Sequence, residues 1–297
     1  MTEIAVKITH PERVLFPEDG LTKGDVAAYY RRVAPLMVPH LKGRPVSMQR
    51  FPEGIGKQGF FHKDAPAYFP AWIERARMKK SGGTVNHPLV TDADSLVFLA
   101  NHGTITPHVW LSRADKPRHP DRIVFDLDPS QDDFATVRKA ARNIAGLLDE
   151  LGLHPFAMVT GSRGIHLWAP IRRDRETEEV KAFTRGVAAL AEERHPAYLT
   201  TQFRKEKRED KILVDMARNG YAQTVVPPYA IRPRPGAPVA MPIRLEELRD
   251  SKLRPDRWNT RNAFRRLSRV DDPWREMSRA SVSLAQPERR LAGLVGS

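Results

Sequence analysis

The stretch RIVFDLDPS constrains this 297-residue chain more than any other. Ile123, Val124, Phe125 and Leu127 make a buried strand, Asp126 and Asp128 stand two residues apart at its end, and Pro129 stops it. Side chains two apart in a strand share a face, so both carboxylates are held roughly 6–7 Å apart on one side of a sheet. Two anions that close repel each other unless a cation or a shared proton lies between them. By itself the pattern has a second reading, in which the aspartates cap the helix that begins just afterwards. D-x-D also occurs in metal-dependent sugar transferases and in phosphatases with an aspartyl nucleophile.

Three further segments bear on that choice. KILVDMARN repeats an apolar strand ending in an aspartate, Asp215, followed by Arg218 and Asn219. Three strand-end aspartates are what two-metal phosphoryl transfer needs, because the ions must neutralise a triphosphate and bind both the attacking and the leaving oxygen. A lone surface acid is the alternative for Asp215. VTGSRGIHLWAPI reads as strand, tight glycine-containing turn, strand. Thr160, Ser162 and the turn amides can donate to phosphate oxygens, Gly161 and Gly164 let the backbone approach closely, and Arg163 adds charge. His166 shares a strand face with Trp168; an ordinary hairpin with a half-buried histidine is the competing reading. In AIRPRPG, an extended segment flanked by prolines points Arg232 and Arg234 the same way as a double phosphate clamp, or leaves them in a solvated loop. His108, upstream in TPHVWLSR, can reach the same mouth or serve a structural hydrogen bond.

The remaining signals predict a mixed α/β body. Thr22 and Asp25 start a helix that runs to about His40. A second begins near Asp132 or Asp133 and stops at Gly152, and a third spans about 176–194 before Pro196. Strands are expected over 122–128, 156–160, 165–171 and 211–216. Six prolines make 227–242 an extended segment in a loop or at a sheet edge. The last fifty or so residues are rich in arginine and helical in flavour, anchored by Trp258, Phe264 and Leu267.

Composition narrows the chemistry. Lysine and arginine number 49 against 36 acids, a formal charge of 49 − 36 = +13, which favours an anionic partner, nucleic acid above all. The chain has no cysteine, which excludes disulfides, thiol nucleophiles and cysteine zinc sites and leaves carboxylates and histidines as the strong metal ligands. There is no run of about 18 apolar residues and no secretory leader, so the expectation is a cytoplasmic, nucleoid-associated protein with no membrane partner.

The ordered motifs DLD, TGSRGIH, VDMARN and PPYAIRPRPG closely resemble the polymerase domain of bacterial ATP-dependent DNA ligase D, a branch of the archaeo-eukaryotic primase superfamily. The resemblance runs from ITHPERVLFPEDGLTKGD through GFFHKDAP to VAMPIRLEEL. It implies a primase-like α/β fold with an amino-terminal α/β unit and an RRM-like catalytic unit, and residues 1–297 as a single primase-polymerase domain. The implied activity is template-dependent nucleotidyl transfer, filling gaps and extending ends in non-homologous end joining, with Mn²⁺ or Mg²⁺ and with NTP or dNTP as substrate. By the same resemblance Asp126, Asp128 and Asp215 are the metal carboxylates, and Asp215 favours loss of the primer 3′-hydroxyl proton. Thr160, Ser162, Arg163 and His166 hold the triphosphate, and His108, Arg218, Arg232 and Arg234 make the other nucleotide contacts. Arg13 and Lys23 match a pocket for the 5′-phosphate across the gap, and Phe60 and Phe61 match aromatics that stack on the template, although a core pair uses the same side chains.

Three positions depart from the family pattern. Thr160 stands where Ser is expected, His10 where Asn is common, and Gln223 where Lys or a small residue is common. No K-x-D-G adenylation motif and no His-rich phosphoesterase segment is present, so a stand-alone paralogue or an excised module is expected, acting as a monomer on broken or gapped DNA. A Ku-type end binder and a DNA ligase are the implied partners. Two rivals share these residues: a non-catalytic module that binds and bridges 5′-phosphorylated ends, and a primase acting in replication or excision repair.

Overall fold

The computed structural model describes residues 6–295. The chain enters on a paired β1 (Val14–Phe16) and β2 (Leu21–Thr22). Thr22 and Asp25 then form a reciprocal capping box that starts α1 (Lys23–Leu41). This helix continues through Pro35 and Pro39, because burial of Val26, Tyr29, Tyr30, Val33 and Met37 outweighs the lost backbone bonds. Next come β3 (Val46–Arg50), β4 (Phe60–His62), a hairpin of β5 (Arg75–Lys80) and β6 (Gly83–Pro88), α2 (Ala93–Asn101) and β7 (Thr104–Trp110).

A second stretch begins with β8 (Arg122–Asp128) and α3 (Phe134–Glu150). It continues with β9 (Phe156–Val159), β10 (Ile165–Pro170), α4 (Thr177–Arg194), β11 (Leu199–Thr200) and β12 (Ile212–Asp215). Short strands β13 (Thr224–Val225) and β14 (Met241–Ile243) follow, then helices α5 (Ala263–Leu267) and α6 (Ala285–Val295).

These elements form two units. The first takes the chain up to Asp115 with Thr224–Ala240 and Trp258–Arg265, and its sheet runs β13–β7–β3–β4. The second takes Lys116–Gln223, Met241–Arg257 and Arg266 onward, and its sheet runs β11–β12–β8–β10–β9–β14. In that sheet β8 and β10 are central strands, and Ile123, Val124, Phe125, Leu127, Leu167 and Trp168 are all fully buried.

The predicted helices and second-unit strands stand within one or two residues of their expected bounds. Two expectations need correction. The proline-rich segment does not stay extended: Arg232 N donates to Pro238 O, Arg234 N to Arg232 O and Ala237 N to Arg234 O, so the chain folds back over 232–238. Only Pro242 lies in a strand, in β14 at the sheet edge, where a missing N–H is tolerated. The carboxyl-terminal region is mostly turns, with only five residues in α5 and eleven in α6. Trp258 is buried there but Phe264 and Leu267 are half-buried; in the second unit the anchor is Trp274, 1% exposed, whose Nε1 donates to Ala157 O at 3.0 Å. Among the described residues no helix is long and apolar enough to cross a membrane.

Candidate active site

Strand register assembles the centre of the site. β12 and β10 flank β8 on either side, both antiparallel to it, and both Asp215 and His166 pair with Asp126. Directly paired residues share a face, and Asp128 lies two residues on from Asp126, so all four side chains project from one side of the sheet. His166 Nε2 lies 3.2 Å from Asp126 Oδ1. The capping reading of the D-x-D pair fails, because Asp133 caps α3 by accepting from Thr136 N at 3.1 Å. Nor is Asp215 a surface acid: it is 7% exposed and accepts from Ala217 N at 2.7 Å.

Electrostatics follows from this crowding. Burial pushes Asp128 up to about 6, helped by the charges of Asp126 and Asp215 and opposed by His166 and Arg163. Burial likewise raises Asp215, and the Asp126 charge adds to it against the Ala217 hydrogen bond and Arg218. A face that resists its own ionisation in this way is chemically suited to a hard cation, and the donors are oxygens. Among the described residues no three His, Asp or Glu side chains stand arranged around one point to hold an ion, so the trio is a cluster of neighbouring carboxylates and not a finished coordination sphere.

The turn between β9 and β10 lies against the same strand. A Cβ on Gly164 would stand 2.3 Å from Leu127 O, so only glycine lets the turn approach β8 here, while Gly161 takes φ +64°. Thr160 is buried and its Oγ1 donates to Gly164 O at 3.1 Å while accepting from Ser162 N and Gly164 N at 3.3 Å. Gly161 N donates to Pro255 O. Thr160 and these amides are therefore engaged in shaping the turn, and the groups presented outward are the half-buried Ser162 and the exposed Arg163. His166 is 3% exposed and its Nδ1 is buried without a hydrogen-bond partner.

Sequence reasoning assigned no role to Asn219. β12 ends at Asp215, which leaves the edge of β8 open at Val124. The Asn219 carboxamide fills that place, accepting from Val124 N at 2.9 Å and donating to Val124 O at 2.7 Å. It continues the strand ladder as a side chain and so fixes the turn that carries the exposed Arg218. The only signal in the sequence is a polar residue directly after an Arg at a strand end.

The other predicted residues belong to the first unit. Lys23, 9% exposed, donates from Nζ to Thr9 O at 2.6 Å and Thr9 Oγ1 at 3.0 Å. Its N–H bonds Arg13 O, so the two cations are brought together; burial and the Arg13 charge lower the Lys23 pKa. Phe60 and Phe61 are 47% and 53% exposed on β4, which rules out the core-pair reading. His108 lies on β7, with Nε2 3.2 Å from Gln49 Oε1 and its ring edge-on to Phe61 at 5.0 Å. Arg232 is half-buried and Arg234 exposed, on either side of the tight turn that replaces the expected extended clamp.

A buried, mostly antiparallel sheet with three aspartates grouped on one face defines the class to which the comparisons assign this chain. The chain belongs to the LigD primase-polymerase domain family, whose model matches residues 22–274. It is 32% identical over 252 residues to the multifunctional non-homologous end joining protein LigD of Mycolicibacterium smegmatis, covering 84% of this chain and 33% of that protein. The Pseudomonas aeruginosa protein of the same name is 32% identical over 295 residues, 97% of this chain and 34% of the relative. The chain thus spans about a third of the length of these relatives. The polymerase domain of Mycobacterium tuberculosis ligase D, solved in complex with DNA, superposes with a TM-score of 0.88 at 31% identity, over 93% of this chain and 99% of that one.

Proposed function

We propose that this chain is a template-directed nucleotidyltransferase that adds nucleotides to a primer 3′ end, filling gaps and extending broken ends in non-homologous end joining. One observation carries the reading: Asp126, Asp128 and Asp215 share a face with His166, next to a glycine turn that presents Ser162 and Arg163. Two-metal phosphoryl transfer uses grouped carboxylates beside cationic phosphate contacts, whereas a pure phosphate binder gains nothing from anions next to its ligand.

Asp126, Asp128 and Asp215 would hold Mn²⁺ or Mg²⁺. Such ions supply charge neutralisation at the triphosphate and lower the cost of ionising the attacking hydroxyl. Ser162, Arg163, His166 and Arg218 bind the triphosphate, with Thr160 shaping the turn and His108, Arg232 and Arg234 completing the nucleotide contacts. The primer oxygen bonds to the α-phosphorus as the bond to the bridging oxygen of the β-phosphate breaks, and pyrophosphate leaves. Asp215 favours departure of the hydroxyl proton, and the cationic side chains stabilise the charge that develops on the phosphoryl oxygens. Arg13 and Lys23 hold the 5′-phosphate across the gap, and Phe60 and Phe61 stack on the template. DNA with gaps or broken ends is the substrate, and a Ku-type end binder and a ligase act with it.

The test is extension of a primer on a 5′-phosphorylated gapped duplex with NTPs or dNTPs, in Mn²⁺ or Mg²⁺. The doubly substituted Asp126→Ala/Asp128→Ala protein is expected to lose extension and keep DNA binding. Unchanged extension would overturn the reading.

A further inference from the structure

The first unit carries an exposed aromatic that neither the motifs nor the proposed mechanism uses. Tyr68 is 66% exposed, the most exposed of the large apolar side chains among the described residues. Its ring is stacked on that of His102, with centroids 5.9 Å apart and planes at 29°. The chain around it is fixed: Phe69 is 3% exposed, packs edge-on against Phe98 at 4.9 Å, and its carbonyl accepts from Arg75 Nη2 at 2.6 Å.

His102 is built as a support. Its Nδ1 donates to Phe98 O at 2.9 Å, which fixes the ring, and Arg50 Nε donates to its carbonyl at 2.8 Å. The same Arg50 stands 3.0 Å through Nη1 from His62 Nδ1 and lies 5.5 Å over the Phe60 ring. Burial lowers the His102 pKa, opposed by the hydrogen bond to Phe98 O and aided by the Arg50 and Lys23 charges.

Two routes tie this support to the Arg13–Lys23 pair. Lys23 Nζ donates to Thr9, and Thr9 N donates at 2.9 Å to the side chain of Asn101, the residue before His102. Arg13 Nη1 donates to Pro52 O at 3.2 Å, and Pro52 lies against Gly103, the residue after His102, where a Cβ would meet Pro52 Cα at 3.1 Å. The end of α2 therefore links the Arg13–Lys23 pair to an exposed ring.

We infer that Tyr68, laid on the His102 ring and tied through the end of α2 to the Arg13–Lys23 pair, is a stacking platform for the first unpaired bases of a 5′-phosphorylated DNA strand. The inference rests on the reading of Arg13 and Lys23 as the 5′-phosphate pocket. A phosphate site next to a rigid aromatic is the pairing that recognises a strand end: the charge binds the phosphate and the ring takes the base that follows, with no demand on sequence. Tyr68 would thus let the protein hold an end whose terminal nucleotides are frayed or mismatched.

The test uses the full chain and a 5′-phosphorylated single-stranded oligonucleotide carrying 2-aminopurine at its second position, whose fluorescence falls on stacking. Wild type is expected to quench it and to bind the phosphorylated form at least about tenfold more tightly than the 5′-hydroxyl form. Tyr68→Ala is expected to bind about 5- to 20-fold more weakly and to lose the quenching, while Tyr68→Phe keeps both. An oligonucleotide abasic at its first two positions should bind wild type and Tyr68→Ala alike. If Tyr68→Ala binds and quenches like wild type while discrimination for the phosphate persists, the platform is wrong and the pocket stands. If wild type itself does not distinguish phosphate from hydroxyl, pocket and platform fall together.

Discussion

Asp128 shows how far one side chain can be displaced from its ordinary chemistry. With its carboxyl raised from 3.8 to about 6 mainly by burial, the cation-free protein bears a cost on the order of 2–3 kcal/mol to keep it ionised at neutral pH. Because the folded value lies above the unfolded one, the contribution of Asp128 to stability is most favourable below the unfolded value and falls as pH rises through about 4 to 6. Asp128→Asn is therefore expected to raise the chemical-denaturation stability of the cation-free protein by about 1–3 kcal/mol at pH 7.5, with the difference vanishing toward pH 4, and to abolish primer extension. Phe60 and Phe61 make the opposite case. Both are about half exposed, so Phe60→Ala/Phe61→Ala is expected to shift stability by less than about 1 kcal/mol while weakening gapped-duplex binding by about tenfold, read by anisotropy. Their sequence context could not separate stacking from burial, because both uses select the same ring; β4 at a sheet edge separates them.

Between residues and fold lies the packing of β8 with its neighbours. Asn219 takes the place of a backbone partner at Val124, and Asn219→Ala strips that buried edge of both hydrogen bonds. A loss of about 1–3 kcal/mol in unfolding free energy is expected, with a fall in kcat as Arg218 loses its anchorage; an unchanged melting curve would count against the ladder role. Gly164→Ala acts on the other side of the strand. Its Cβ would meet a backbone oxygen, Leu127 O, which cannot give way as a flexible side chain can, so β10 must separate from β8. The expected result is a loss of nucleotide binding by calorimetry together with a lowered melting temperature. The glycine was visible in the sequence as a close approach, but the strand it approaches was not.

For the molecule as a whole, the excess of positive charge is a statement about salt. DNA affinity is expected to fall steeply with ionic strength, and Lys23→Ala is expected to lower the slope of log K against log salt by about one while removing the preference for a 5′-phosphate. A variant that keeps both slope and preference would remove Lys23 from the interface. The three aspartates of opposite sign are so few that the net charge conceals them, and they owe their position to the sheet and not to the overall field.

What the sequence by itself determined was local. The capping box at Thr22, the central strand at 122–128 and the glycine turn at 161–164 depend on neighbours a few residues away, and the ordered motifs carried the family. Only the tertiary structure decided what depends on pairing between distant segments. Asp215 and His166 meet Asp126 from opposite sides because β12 and β10 both register on β8; Asn219 reaches a strand 95 residues away; and Tyr68 rests on His102, beyond a hairpin and a helix in the chain. The proline-rich segment was misjudged for the same reason. Proline limits backbone angles one residue at a time, but whether the chain runs straight or folds back is decided by hydrogen bonds between residues on either side of the turn, such as Arg232 N to Pro238 O.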